Sequence, residues 1–344
     1  MGNTGGKKRE NQLAENGLTH RQDETTQLEE KKTKAGFIPG HHECENCPRG
    51  EADLHKHSTD CKKNPGHVNF IPVNDFNFGH LPPRYRDVIM LKAVKALSAL
   101  TVLINVKYTS LERPKSVPCF SGQYPFYNTR GSGVLRTGTG RVWSVVKFTE
   151  SDNKGTCPCG KCQHTDTPSK VWGEVSVLTA IHVVFDDSEA RQTRCVVGFD
   201  DNKCPGVSLD GWRVEWTDVE GDRCVITCVS CNLELVDKLD KMCWHFHNLC
   251  GKVSDKYWRF VYVDKLTIIV AHPHGCSKQV SVGQWIDKHK REGWYKYKYT
   301  YTTCTCPGSS GAYVYIPGYV RQSSHPHSGS DSDGNYSGEG GLVV

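Results

Sequence analysis

Apolar and polar positions divide the chain into stretches of different texture. Residues 1–66 are polar and charge-mixed, with almost no apolar period, which predicts a disordered arm. Tyr85–Ser98 places Val88, Leu91, Val94 and Ala96–Leu97 at near-helical spacing behind Pro82-Pro83, predicting an amphipathic helix. From Leu100 to Pro317 the pattern changes to short β-branched and aromatic runs such as TVLINVKY, RVWSVVKF, CVITCV, LTIIVA and YKYKYTYT, cut by Gly, Asp, Asn and Pro. Strands at that density, without βαβ alternation, predict an all-β barrel or sandwich. The closing run RQSSHPHSGSDSDGNYSGEGG is Ser/Gly-rich and reads as a flexible tail. The expected organisation is a disordered polar arm with a His/Cys-rich patch over 1–80, a folded domain over 84–318, and a tail over 319–344. No repeat of fixed period is visible.

Composition narrows the function classes. The longest apolar run, Ala99–Val106, is far short of the roughly 20 residues of a spanning helix. The net charge of +5 is spread along the chain without a Lys/Arg stripe, which argues against nucleic acid as the primary ligand. Seventeen cysteines follow an N-terminus with no apolar leader, so thiol or metal chemistry in the cytoplasm is expected before a disulfide scaffold. Gly2, with Lys7, Lys8 and Arg9 behind it, fits an acylation site except that Gly6 stands where Ser or Thr is usual. One acyl chain would anchor the protein to a membrane only weakly. The alternative is a plain tail that begins Met-Gly.

Cys306-Pro307-Gly308-Ser309-Ser310-Gly311-Ala312, just before Tyr313–Ile316, is the segment richest in chemistry. A Gly-x-Ser-Gly turn presents a serine hydroxyl on a tight loop, where the amides of Gly308 and Ser310 can converge on a developing oxyanion. The bland alternative is a turn serine. Val177–Val184 is an apolar strand ending in Thr179-Ala180-Ile181-His182, which leaves its imidazole either free to reach across or satisfied within the core. Asp222 sits just ahead of the apolar run Cys224–Thr227, where a carboxylate can hold an imidazole tautomer; Asp186, Asp187 and Asp218 compete for that role.

The order His, Asp, Ser, with Thr-Ala-x-His and Gly-x-Ser-Gly, resembles the trypsin-like (chymotrypsin-fold) serine peptidases across residues 100–318. Gly131-Ser132-Gly133-Val134-Leu135 is similar to the opening strand of the first barrel in the housekeeping and viral members. Val270-Ala271-His272-Pro273-His274-Gly275 is similar to a turn in their second barrel. The resemblance implies two six-stranded antiparallel β-barrels preceded by a helix. It implies Ser310 as nucleophile, His182 as base then acid, Asp222 as orienting carboxylate, and the Gly308 and Ser310 amides as oxyanion hole. Protein or peptide would be the substrate, with no cofactor required. The secreted members carry Gly-Asp-Ser-Gly-Gly, whereas Ser309 and Ala312 stand here, and no Ile-Val-Gly-Gly site precedes the barrels. Activation by zymogen cleavage is therefore not expected, and the chain is placed nearer the intracellular branch. Cys304, six residues before Ser310, implies a pocket for a small or apolar side chain. A catalytically silent, zinc-stabilised interaction module is the competing reading, and Cys304 with Cys306 raises a redox-sensitive peptidase.

Cys157-Pro158-Cys159-Gly160-Lys161-Cys162-Gln163-His164 packs three thiols and an imidazole into one short loop, a donor set suited to structural zinc. Cys195 or Cys204 could replace His164, and reduced surface thiols are the alternative. Cys44, Cys47, His57 and Cys61 could also close around zinc, but their spacing fits no standard finger and a solvated linker is preferred. Cys224, Cys228 and Cys231, with Cys243 and Cys250 downstream, form a second group in which no metal is expected, since Cys224 and Cys228 stand at even spacing and are expected to face one side of a barrel. Tyr295, Tyr297, Tyr299 and Tyr301 alternate with Lys296 and Lys298, as an amphipathic strand would, with base-stacking the rarer use.

Overall fold

A computed structural model describes residues 41–47, 61–116, 123–290, 296–319, 325–332 and 334–341. Six strands build a first barrel: β1 Thr101–Val106, β2 Leu135–Phe148, β3 Trp172–Thr179, β4 Thr193–Val197, β5 Val207–Asp218 and β6 Arg223–Ser230. Every neighbour pair is antiparallel, and the order β1-β2-β3-β6-β5-β4 returns to β1, so this sheet closes on itself. Register shifts at Val142/Ser144 in β2 and at Gly211/Arg213 and Val214/Trp216 in β5 supply the bends that closure of long strands requires. Val102, Ile104 and Val106 alternate into the core with Val175 and Val177 of β3 and Cys224, Ile226 and Cys228 of β6.

The second barrel repeats that order. Its strands are β7 Leu266–Ala271, β8 Gln279–Lys290, β9 Lys296–Tyr301, β10 Val314–Tyr315, β11 His327–Asp331 and β12 Gly334–Ser337. They pair β7-β8-β9-β12-β11 and β7-β10. A Tyr313–Pro326 bridge, with Val314 N–H donating to the His325 carbonyl at 2.8 Å, joins β10 to β11 and closes the ring. Two closed six-stranded antiparallel barrels are therefore present.

Three features differ from the sequence reading. The tail does not begin at 319: β11 and β12 lie beyond it, and His327, Ser328, Tyr336 and Ser337 are buried. Its Ser and Gly residues suit close packing between strands, which composition alone reads as flexibility. The arm expected over 1–80 contributes ordered pieces. His41–His42 pairs with β11, Glu45–Cys47 with β2, and Ile71–Pro72 with β8. Residues 1–40 and 48–60, with Gly2 and His57, lie outside the described residues.

The third difference is a long helix between the barrels. The amphipathic segment forms helix α1, Val88–Leu100, capped by Asp87, whose carboxylate accepts from the amides of Ile89 at 2.7 Å and Met90 at 3.0 Å. Helix α2, Leu233–Tyr257, starts at an Asn232 cap and buries Val236, Leu239, Phe246, Leu249, Cys250, Val253 and Tyr257 against α1 and β2. Its stripe recurs every three or four residues, but charges and His245 and His247 interrupt it.

Both faces of β9 are covered. Tyr299 and Tyr301 are buried, and Lys298 is nearly so. Tyr295 lies outside the described residues.

Candidate functional site

The site lies on the seam between the barrels. The chain leaves β3 at Thr179 into a tight turn, with the amides of Val183 and Val184 donating to the Ala180 carbonyl at 3.1 and 3.4 Å, and the turn carries His182. A buried ion cluster fixes it from behind. Glu189 accepts from Arg113 at 2.6 and 2.7 Å, from Arg136 at 3.0 Å and from the Phe185 amide at 2.9 Å. Arg113 also donates to the His182 carbonyl at 3.1 Å.

Asp222 stands behind the ring. Its carboxylate oxygens lie 2.9 and 2.8 Å from His182 Nδ1, and one accepts from the His182 amide at 3.2 Å. Ser328 of β11 donates a further short hydrogen bond to Asp222. Burial pushes the Asp222 carboxyl up, but His182, His42 and Ser328 outweigh it and hold the group below the ordinary carboxylate range. The three competing aspartates are engaged elsewhere. Asp218 pairs with Arg223 at 3.0 Å and Lys296 at 2.6 Å. Asp186 caps the turn at Asp187–Ala190, and Asp187 accepts from the Val214 amide at 2.7 Å.

Ser310 is held from both barrels. Thr139 of β2 donates through its amide to the Ser310 carbonyl and through its hydroxyl to the Gly308 carbonyl, each at 2.8 Å. From the second barrel, His274 N–H donates to the Pro307 carbonyl at 2.6 Å, and Gly311 N–H to the His327 carbonyl at 2.8 Å. Gly311 has φ +87°, and a Cβ there would collide with the Thr139 carbonyl and the Thr179 hydroxyl. Gly138 lets the two loops meet: a Cβ on it would lie 2.6 Å from Val183 and 3.2 Å from the Ser310 carbonyl. Ser310 Oγ and His182 Nε2 are both buried, and neither has a hydrogen-bond partner among the described residues, so the two do not yet bond each other.

A segment of the arm runs across this seam. The Gly308 N–H donates to the Glu43 carbonyl at 2.8 Å. On one side His42 lies against His182, ring centres 4.4 Å apart and planes tilted by 35°, while His41 and His42 pair with Ser330 and Gly329. On the other, Glu45, Asn46 and Cys47 pair with Thr137, Arg136 and Leu135. The Glu43 side chain fills a recess where one carboxylate oxygen accepts from His327 Nε2 at 2.8 Å and Thr305 Oγ1 at 3.0 Å. The other accepts from Ser330 Oγ at 2.6 Å and, in a short contact, from Lys63 Nζ. Burial pushes the Glu43 carboxyl up, but His327 and Lys63 outweigh it and hold it ionised. Burial lowers His42 to about 4 and also lowers His327, which leaves both rings neutral.

Cys304, the residue expected in the pocket, is not among the groups that bond Glu43. It is half-buried, and the side chain held beside Gly308 is an acid. His42, Glu43, His327 and Ser328 were missed because their partners lie far along the chain. The only sequence signal at 41–44 was the His/Cys patch, whose chemistry suggested metal.

Of the expected metal ligands, Cys157, Cys159 and Cys162 come together, and Cys231 completes the group, with all four sulfurs within 4.8 Å of one another. His164 is not brought in: its Nδ1 lies 2.7 Å from the Gly160 carbonyl on an exposed turn. Cys195 packs 3.5 Å from Cys228 in the barrel core, and Cys204 is exposed. Cys231 escapes a local reading because it enters from the end of β6. Cys44 turns to the Thr137 carbonyl at 3.2 Å and Cys61 lies 3.5 Å from Cys306, so these two thiols serve separate contacts; the Cys47 side chain and His57 lie outside the described residues.

No family model matches the sequence, and no curated protein matches it. Among solved structures, the HtrA-type protease AlgW with a decapeptide is similar at 14% identity over 73% of this chain and 63% of its own, TM-score 0.39. The active form of the Rv3671c protease from M. tuberculosis is similar at 13% identity over 73% of this chain and 79% of its own, TM-score 0.37. A thermostable serine protease, AL20, is similar at 10% identity over 72% of this chain and 92% of its own, TM-score 0.35. The chain thus spans about 63% of the length of AlgW.

Proposed function

We propose that the protein is a serine endopeptidase in which Ser310 is the nucleophile, His182 the general base and then acid, and Asp222 the orienting carboxylate. The observation that carries this reading is the Asp222–His182 pair at 2.8 Å, with Nε2 of that ring and Ser310 Oγ both buried and unpartnered on one seam. In the reaction His182 Nε2 takes the Ser310 proton as Oγ attacks a substrate carbonyl, and the oxyanion is met by the Gly308 N–H. His182 then returns the proton to the leaving amine, and water hydrolyses the ester by the reverse path. Asp222 keeps Nδ1 protonated and stabilises the imidazolium.

The loop needs no new N-terminus to form, since Ser309 Oγ accepts from the Cys306 amide at 3.2 Å where the secreted members place their aspartate. This supports activity without zymogen cleavage. The described thiols are unbridged, which fits a cytoplasmic setting. A fluorophosphonate is expected to label Ser310 in the full chain and to spare Ser310→Ala. A folded chain that resists the reagent would leave a silent barrel module instead.

We also propose a structural zinc held by Cys157, Cys159, Cys162 and Cys231. Four thiolates at about 2.3 Å from zinc stand about 3.8 Å apart, and Cys159 and Cys231 lie 3.7 Å apart here. Zinc would staple the loop after β2 to the end of β6. Native mass spectrometry is expected to show one zinc fewer in Cys231→Ser.

A further inference from the structure

We infer that residues 41–47 are the enzyme's own substrate: Ser310 cuts the Glu43–Cys44 bond of the same chain, and the recess beside it selects glutamate. The inference rests on the peptidase reading above and adds the bond and the side-chain class. The segment is extended and paired antiparallel on both sides of one peptide bond, to β11 before it and to β2 after it. Edge pairing of this kind recognises a peptide through its backbone, leaving specificity to side-chain pockets. The carbonyl presented to the Gly308 amide is that of Glu43.

The recess is matched to a carboxylate on both oxygens. His327 Nε2 faces a carboxylate, which only accepts, so a proton sits on Nε2 and points at Glu43, while the Tyr301 hydroxyl stands 2.6 Å from Nδ1. Thr305, Ser330 and Lys63 bring the remaining donors. A glutamine amide would turn its own N–H groups against two of these donors. Lys63 lies after the cut, so it stays with the enzyme, where it also bonds Thr305 Oγ1 at 3.1 Å and Asn335 Oδ1 at 2.7 Å.

The step balances with water as the only co-reactant. Ser310 Oγ bonds to the Glu43 carbonyl carbon while its proton passes to His182 Nε2. The C–N bond to Cys44 breaks, and that nitrogen leaves as an amine carrying the proton from His182. Water then attacks the ester, one proton returning through His182 to Ser310 Oγ, and a C-terminal carboxylate remains on Glu43.

N-terminal sequencing and intact mass of the purified full chain, with fluorophosphonate labelling in parallel, test this. The expected result is a wild-type chain beginning at Cys44, an intact Ser310→Ala chain, and a cleavage rate independent of dilution. Glu43→Gln is expected to be cut at least about 100-fold more slowly. Peptides with Glu before the cut are expected to turn over at least about 100-fold faster than those with Ala, a preference that His327→Ala abolishes. A wild type labelled at Ser310 but never beginning at Cys44 overturns self-cleavage and leaves the peptidase standing. A wild type neither labelled nor cut overturns the peptidase reading itself. Cutting that scales with concentration overturns the same-chain assignment.

A separate observation carries a second site. Cys61 and His67 of the arm meet His274 and Cys306 of the second barrel, with all four donor atoms within 4.8 Å of one another. Cys61 and Cys306 sulfurs are 3.5 Å apart, and His67 Nε2 is 3.6 Å from Cys306. Glu45 Oε2 lies 2.8 Å from His274 Nδ1, the kind of carboxylate that orients a metal-binding imidazole from behind. We propose that these four residues bind zinc as a two-thiolate, two-imidazole site that clamps the arm beside the Ser310 loop. Native mass spectrometry of the full chain and cobalt absorption test it. Cys61→Ser and His67→Ala are each expected to lose one zinc per chain, independently of the zinc lost in Cys231→Ser. Unchanged zinc in both arm variants, or a single wild-type zinc removed by Cys231→Ser, overturns the site.

Discussion

Asp222 serves His182 from a backbone conformation with φ +51°, which short polar residues such as aspartate tolerate better than most. That turn aims both oxygens at one imidazole and one hydroxyl, so the charge on the carboxylate is as important as its position. Asp222→Asn keeps the shape, but its amide N–H would face Nδ1–H and favour the wrong tautomer. Turnover is expected to fall about 10⁴-fold with the fold unchanged, read as fluorophosphonate labelling rate beside a circular dichroism spectrum. Gly311→Ala acts differently, through the backbone. Its positive φ and the collision with the Thr139 carbonyl would displace Ser310, and a shift near 1 Å costs about 100-fold in rate. Thermal melting of that variant is expected to show a loss of about 1–3 kcal/mol.

Elements hold these residues through contacts that a local reading does not contain. Glu189 belongs to the turn at Asp187–Ala190, yet it ties Arg113, Arg136 and the Phe185 amide into the base of the His182 turn. Removing it strands two buried guanidinium groups, so Glu189→Ala is expected to destabilise by about 3–5 kcal/mol in urea unfolding. Peptidase activity would fall with it, because Arg113 would lose the partner that aims it at the His182 carbonyl. The strands of the first barrel and helix α1 were legible because two-residue and near-helical periods are local. Helix α2 was not, since its buried stripe is diluted by Lys, Asp and His on the open face. Strands β11 and β12 were hidden for the opposite reason. Their Ser and Gly residues are buried by neighbours distant in sequence, and composition reports the residue type without the neighbour.

Across the whole molecule, the proposed triad of His182, Asp222 and Ser310 could be picked out from order and spacing, whereas the recess and its occupant could not. Glu43, Lys63, Thr305, His327 and Ser330 meet only when the arm folds back over the second barrel, and no local motif encodes that return. The same long-range closure makes the molecule sensitive to acid in a specific way. Glu43 and Asp222 both have folded-state pKa values held below their ordinary 4.5 and 3.8. A carboxylate depressed on folding contributes stability that is complete above its unfolded pKa and is lost as pH falls through the folded one. In a Ser310→Ala chain, which keeps the arm attached, the melting temperature is therefore expected to hold from pH 7 to about pH 5 and fall progressively below it. Glu43→Gln in that background removes one of the two groups. It is expected to cost about 2 kcal/mol or more at pH 7, where the wild-type carboxylate is charged and fully bonded. The two melting curves then converge as acid neutralises Glu43. Parallel curves across the whole acid range would mean that the Glu43 carboxylate does not hold the arm in the recess.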